Sequence, residues 1–177
     1  MSTPQGATSV ATSVATSYAD AIVASQGSAA PTSGTSTIRA AIVSLGNELF
    51  TIDLQNVREV FVVESVTPVP GMPSGLIGVT NLRGSIVPLL DLRQMIGVAA
   101  ETALKYAVVV KHGNWQVGVL VDTVPEIRTL SKDQFLPAPV GTGDGVNPFV
   151  STVVKLEDRL RGVLETSAVL SHFEGTG

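Results

Sequence analysis

From Ile38 onward the chain is a succession of short aliphatic runs separated by turn-forming pairs, a pattern that favours antiparallel hairpins over any long helix. IRAAIVSLG and ELFTI meet at Gly46-Asn47, and GLIGVTNLR and IVPLLDL flank Gly84-Ser85. KYAVVVK and WQVGVLVD meet around His112-Gly113-Asn114, and FVSTVVKL and RLRGVL around Glu157-Asp158. Each is read as a hairpin, and the Gly-X pair at 84–85 predicts a two-residue type II′ turn. FVVESV is strand-like, and PVPGMP reads as a stiff extended loop because each proline fixes φ and removes an amide donor. Helices are short. Asp53 is placed to cap LQNVREV. Asp91 with Gln94 resembles a capping box, which predicts a single-turn helix over DLRQMIG stopped by Gly97. Thr166 can start a last helix, TSAVLSHF.

The two halves echo each other. VREV at 57–60 recurs as VPEI at 124–127, and the hairpin, turn and short helix of 77–96 are matched over 151–170. This predicts a mainly β protein of two similar small units, neither large enough to stand alone and both sharing one core.

Residues 1–37 are different in texture: Ala, Ser, Thr, Gly and Pro with the single charge Asp20, including the tandem ATSV-ATSV-ATSY. They read as a flexible tail, with 27–36 as linker, since Ser and Thr are poor helix formers. The alternative is a docking helix, because Val10, Val14, Tyr18 and Ile22 recur every fourth residue. The segment lacks the basic and apolar regions of a secretory leader, so export by that route is not expected.

Composition excludes several function classes. Mean hydropathy is high at +0.36, yet no uninterrupted apolar run reaches the length of about 18 residues needed to span a bilayer. A net charge of −4 with scattered Lys and Arg disfavours nucleic acid and anionic lipid as partners. There is no cysteine, hence no thiol nucleophile and no cysteine-held metal. His112 at a hairpin tip and His172 near the C-terminus lack the fixed neighbours a general base needs. No metalloprotease, phosphate-loop or calcium-loop motif occurs, and GTGDGVN at 141–147 reads as a mobile loop around one carboxylate. No catalytic residue, metal or cofactor is expected. Trp115 is expected to pack in or beside a sheet, the alternative being an exposed interface anchor.

Once turn chemistry accounts for Gly84-Ser85 and capping for Asp91, the guanidinium of Arg83 at the tip of an apolar hairpin is left without a local reason. At GVTNLRGSIVPLLDLR the sequence resembles the chemotaxis coupling protein CheW family, whose signature runs G-V-x-N-L-R-G-x-I-x-P-x-x-D-L. The likeness extends over FTIDLQNVREV, PVPGMPSGLIG, QVGVLVDTVPEI and LSKDQFLPAP, about residues 38–172. This leaves 1–37 and 173–177 as tails.

The resemblance implies two five-stranded SH3-like β-barrels on a common core with short helices. It also implies a non-enzymatic cytoplasmic adaptor, recruited to membrane-associated arrays, that couples chemoreceptor tips to the regulatory domain of a CheA-type histidine kinase. By resemblance Arg83 and Glu59 form a charged pair beside the partner surfaces. Asn81 lies in the same NLRG motif, and Val57, Gly78, Gly118 and Ile127 match positions in or near receptor binding. Each has a structural alternative. Arg83 and Glu59 can simply tie two elements together, an exposed pair contributing about 0–1 kcal/mol. Gly78 and Gly118 can be close-approach points, and Val57 and Ile127 can be core. Two further functional readings are a barrel that binds a small molecule at its mouth and an adaptor of a pilus or gliding system.

Overall fold

A computed structural model describes residues 36–99, 102–138 and 147–174. The ATSV repeat, all but the last residue of the linker, and residues 141–146 of the GTGDGVN loop lie outside the described residues.

Among the described residues eleven strands form two sheets. The first contains β1 (Thr37–Leu45), β2 (Glu48–Asp53), β8 (Glu126–Ser131), β9 (Phe135–Pro137), β10 (Thr152–Leu156) and β11 (Arg159–Val163), in the order β8-β1-β2-β11-β10-β9. The second contains β3 (Val57–Val62), β4 (Leu76–Leu82), β5 (Ser85–Leu90), β6 (Tyr106–His112) and β7 (Trp115–Val121), in the order β3-β6-β7-β5-β4. The expected mainly β fold of two small units is therefore present. The short β9 gives the first sheet a sixth strand.

Neither sheet is built from one half of the chain. Hairpin β1-β2 is flanked by β8 and β11 from the second half, and hairpin β6-β7 by β3 and β5 from the first. The exchange is symmetric. Glu59 faces Val109 and Val60 faces Val108 as Glu126 faces Ile42 and Ile127 faces Ala41. The parallel pairing of β5 with β7 likewise has its counterpart in β11 with β2. Each half thus lends its first hairpin to the other's sheet, which ties the two units together through backbone hydrogen bonds as well as packing.

Alternation along the strands explains the apolar runs. In β1, Ala41, Val43 and Leu45 face a core shared by both sheets, while Ala40 and Ile42 face the interior of the first. In β6, Val108 and Val110 face the shared core, and Ala107 faces the interior of the second sheet. Strands buried on both faces read as continuous aliphatics. The second helix, α2 (Thr166–Glu174), closes the shared core with Val169 and Leu170.

Several local expectations are corrected. LQNVREV is not a helix. Asp53 accepts a hydrogen bond from Gln55 N at 2.9 Å, but only Leu54–Asn56 form a 3-10 turn, and Val57 opens β3. Val57 and Val60 are buried against β6 and the shared core, and β-branched residues suit that pleated surface better than a helix. FVVESV continues the strand only to Val62, with one bridge from Thr67 to Val79 beyond it. The hairpin turn at 84–85 is shifted by one residue. Leu82 pairs with Ser85, so Arg83 and Gly84 form the loop, with φ of 51° and 87°; two positive φ values define a type I′ turn rather than II′.

Asp91 makes no capping box with Gln94. The first helix, α1 (Arg93–Ile96), is stopped by Gly97 as expected, but Asp91 turns to Arg93. Arg93 Nε donates to Asp91 Oδ1 at 3.0 Å and Nη2 to Oδ2 at 2.9 Å, and Nη1 donates to Thr102 O at 2.7 Å. Asp122 Oδ1 lies 3.8 Å from Arg93 Nη1, and the Asp122 carboxylate also receives Thr102 Oγ1 and the Gly46 amide. The hydrogen bonds and charge of Asp91, with the Asp122 charge behind them, raise the pKa of Arg93 despite its burial. Because Asp122 N also donates to Ser44 O, this cluster fastens the end of β7 to the β1-β2 turn across the two sheets.

His172 is not loosely placed either. It contacts Phe149 and Phe173 edge-on, with ring centroids 5.4 and 5.1 Å away.

Candidate functional site

Three of the sequence-predicted residues, Arg83, Glu59 and Asn81, meet at one end of the second sheet, where the β4-β5 turn reaches across to β3. Arg83 Nη1 lies 2.9 Å from Glu59 Oε2, with side-chain exposures of 73% and 21%. The contact is ionic by distance, yet Oε2 is shielded from solvent and receives no hydrogen bond of good geometry. The pair joins the turn beside one edge strand to the other edge strand, curling the sheet toward closure. Asn81 supports the turn from within, its Oδ1 accepting the Gly84 amide at 2.8 Å.

Arg83 occupies a left-handed backbone conformation, which costs a residue with a Cβ about 1–2 kcal/mol relative to glycine. The turn would be easier to form with Asn at this position. A charged side chain held there, largely in solvent, is therefore placed where it serves neither the turn nor the core.

The remaining predicted residues fall into the fold. Val57 is buried in the shared core, and Ile127 packs partly buried against it. Gly78 has φ of 151°, and a Cβ there would come within 2.4 Å of Thr67 O. Gly118 lies where a Cβ would meet Leu89 Cδ2 at 2.7 Å. Val57, Gly78 and Gly118 are buried and Ile127 is partly exposed. Arg83, Glu59 and Asn81 are brought together at one end.

The corresponding end of the first sheet carries a related device with the charges exchanged. Glu157, at the turn position matching Arg83, accepts Arg128 Nη1 at 2.6 Å, and Arg128 is also bound by Glu126 at 2.9 Å. Hydrogen bonds from Arg128 lower the pKa of Glu126, and the two carboxylates raise that of Arg128. A cleft of about 150 Å³ lies beside this cluster, lined by Ile42, Leu49, Val124 and Leu156 with Arg128 and Arg161. That is below the usual volume of a ligand pocket, about 300–1,000 Å³. Among the described residues no group of three or more His, Asp or Glu is arranged to hold a metal, and no helix is long and apolar enough to cross a membrane.

The sequence signal missed three features of the site region. Trp115 is exposed at 62% rather than packed, Arg93 is buried, and Arg58 Nη1 reaches Gln116 Oε1 at 2.9 Å. Only Arg93 left a legible trace, its place two residues after Asp91.

Residues 39–174 match the CheW-like domain family. The chain belongs to that family. It is 32% identical over 127 residues to the chemotaxis protein CheW of Rhizobium meliloti, covering 71% of this chain and 82% of that one. It is 34% identical over 106 residues to the protein FrzA of Myxococcus xanthus, covering 57% and 64% respectively. Among solved structures it resembles the scaffolding protein TtCheW from Thermoanaerobacter tengcongensis, with a TM-score of 0.65, 28% identity, and coverage of 73% of this chain and 90% of that one. The CheW-like fold of two β-barrels thus accounts for the two interlocked sheets.

Proposed function

We propose that this chain is a non-enzymatic coupling adaptor of a chemotaxis system, bridging the cytoplasmic tip of a chemoreceptor to the regulatory domain of a CheA-type histidine kinase in membrane-associated arrays. The observation that carries the reading is Arg83: a guanidinium left in solvent at 73% exposure, in a strained turn, steadied by Glu59 and set within the NLRG motif of a CheW-like domain. A fixed guanidinium gives bidentate recognition of a carboxylate, hence orientation and specificity at an apolar interface. The chemotaxis and scaffolding descriptions of the relatives support the same reading. The site orients charged and apolar surface and has no step of bond chemistry to perform.

The test is a bridging pull-down with full-length protein. Beads bearing the receptor tip should retain the kinase regulatory domain when this chain is present and release it when the chain is omitted. Retention independent of the chain, or no binding to either partner, would sink the adaptor reading.

A further inference from the structure

Trp115, the single tryptophan of the chain, and Ile86 are each 62% exposed, an unusual state for large apolar side chains within strands. The parallel pairing of β5 and β7 sets Leu89 against Gly118 and Leu90 against Val119. Extending that register toward the strand starts puts Ile86 beside Trp115. Alternation places both on the face that carries Leu90, Val117 and Val119 into the shared core, so they are its outermost, uncovered rungs.

The same end of the sheet carries three cations. Arg83 follows β4, Arg58 is bonded to Gln116, and Lys111 faces Gln116 across β6-β7. Glu59 is the only acid in the five strands of this sheet. Lys111 and Gln116 alternate with Trp115 onto the opposite face, so Arg83, in the turn that leads into the strand of Ile86, is the cation that borders the apolar pair.

Resting on the adaptor reading, we propose that Ile86 and Trp115 are the apolar anchor of the docking surface around Arg83. Its occupant is a partner segment that sets carboxylates among exposed aliphatic side chains. Aromatic and arginine side chains at one spot are the usual composition of an interface hot spot, and the exposed Arg83 guanidinium selects a partner carboxylate by complementarity. A second copy of the chain offers Glu157, Asp158 and exposed Leu160 at its β10-β11 turn. Those acids are already bridged, Glu157 to Arg128 at 2.6 Å and Asp158 to Lys155 at 3.6 Å, which disfavours it.

The single tryptophan makes the test direct. Full-length protein is titrated separately with the kinase regulatory domain and with the receptor tip, and Trp115 emission is taken as the difference from Trp115→Phe. With one of the two, saturation should shift that emission to the blue and protect it from acrylamide quenching. Trp115→Ala should bind that partner at least about tenfold more weakly, and affinity should fall as salt rises. Saturable binding with Trp115 quenched as in the free chain and Trp115→Ala within about twofold of wild type overturns the anchor while leaving the adaptor reading intact. Binding to neither partner removes both. Self-association of the chain alone, lost in Trp115→Ala, would identify a second copy as the occupant and overturn the partner proposed here.

Discussion

The Nη1 atom of Arg83 sits 2.9 Å from Oε2 of Glu59, linking the β4-β5 turn to β3 at the far edge of the same sheet. Arg83 is mostly in solvent and Glu59 mostly covered, so the contact fixes the direction of the guanidinium more than it stabilises the fold. Replacing Glu59 with Gln should change stability by less than about 1 kcal/mol in urea unfolding, yet weaken partner binding several-fold by releasing Arg83. Unaltered binding by Glu59→Gln would show that Arg83 needs no such orientation.

Arg93 is the opposite case, a covered cation with Asp91 and Asp122 facing it. Breaking a buried pair leaves uncompensated charge, which costs about 3–5 kcal/mol. Arg93→Leu should therefore lower the urea midpoint sharply and loosen the β1-β2 turn, visible as faster hydrogen exchange at the Gly46 amide. A loss below about 1 kcal/mol would mean that the cluster does not fasten the two sheets.

Gly78→Ala separates shape from contact. With φ at 151° and Thr67 O only 2.4 Å from the added Cβ, the variant should lose about 1–3 kcal/mol of stability. Measured per folded molecule, its affinity for partners should fall only in so far as the β4 edge shifts. Full stability combined with lost binding would instead make Gly78 a direct contact.

The pH response of the first sheet follows from Glu126. Its folded-state pKa lies below the ordinary value because of the hydrogen bonds from Arg128, so the carboxylate contributes stability above the unfolded-state pKa. That contribution is lost as pH falls through the lowered, folded-state value. Glu126→Gln should lower stability slightly at neutral-to-basic pH and converge with wild type at low pH, which flattens the acid limb, and the effect should be small because the pair is exposed. An identical acid limb in both proteins would contradict it.

What was legible in the sequence follows the range of the forces involved. The hairpins were readable because strand runs and turn residues are local, and Gly97 ended its helix as αL chemistry requires. The exchange of hairpins between halves was not, since the pairing of β1 with β8 and of β3 with β6 joins residues distant in sequence. LQNVREV carried a sound helix-start signal at Asp53 that tertiary pairing of Val57 and Val60 overrode. Local needs leave Arg83 unexplained in the sequence, and its left-handed backbone is hidden there because the glycine beside it accounts for the turn. Trp115 is exposed where large aromatics are usually covered, because exposure depends on which strand ends run past the core, and local sequence does not decide that. Arg93 was overlooked because a helical arginine is ordinarily solvated; the Asp91 and Asp122 carboxylates that bury it come together only in the folded chain.

Substitution of Arg83 by Asn tests the central claim most directly, because it removes the charge while supplying the residue a type I′ turn prefers. The variant should fold as well as wild type or better, by up to about 1 kcal/mol. Its affinity for the kinase regulatory domain or the receptor tip, measured by isothermal titration, should fall at least about tenfold. Affinity equal to wild type for both partners would contradict the assignment of Arg83 as the side chain that the fold holds out to a partner.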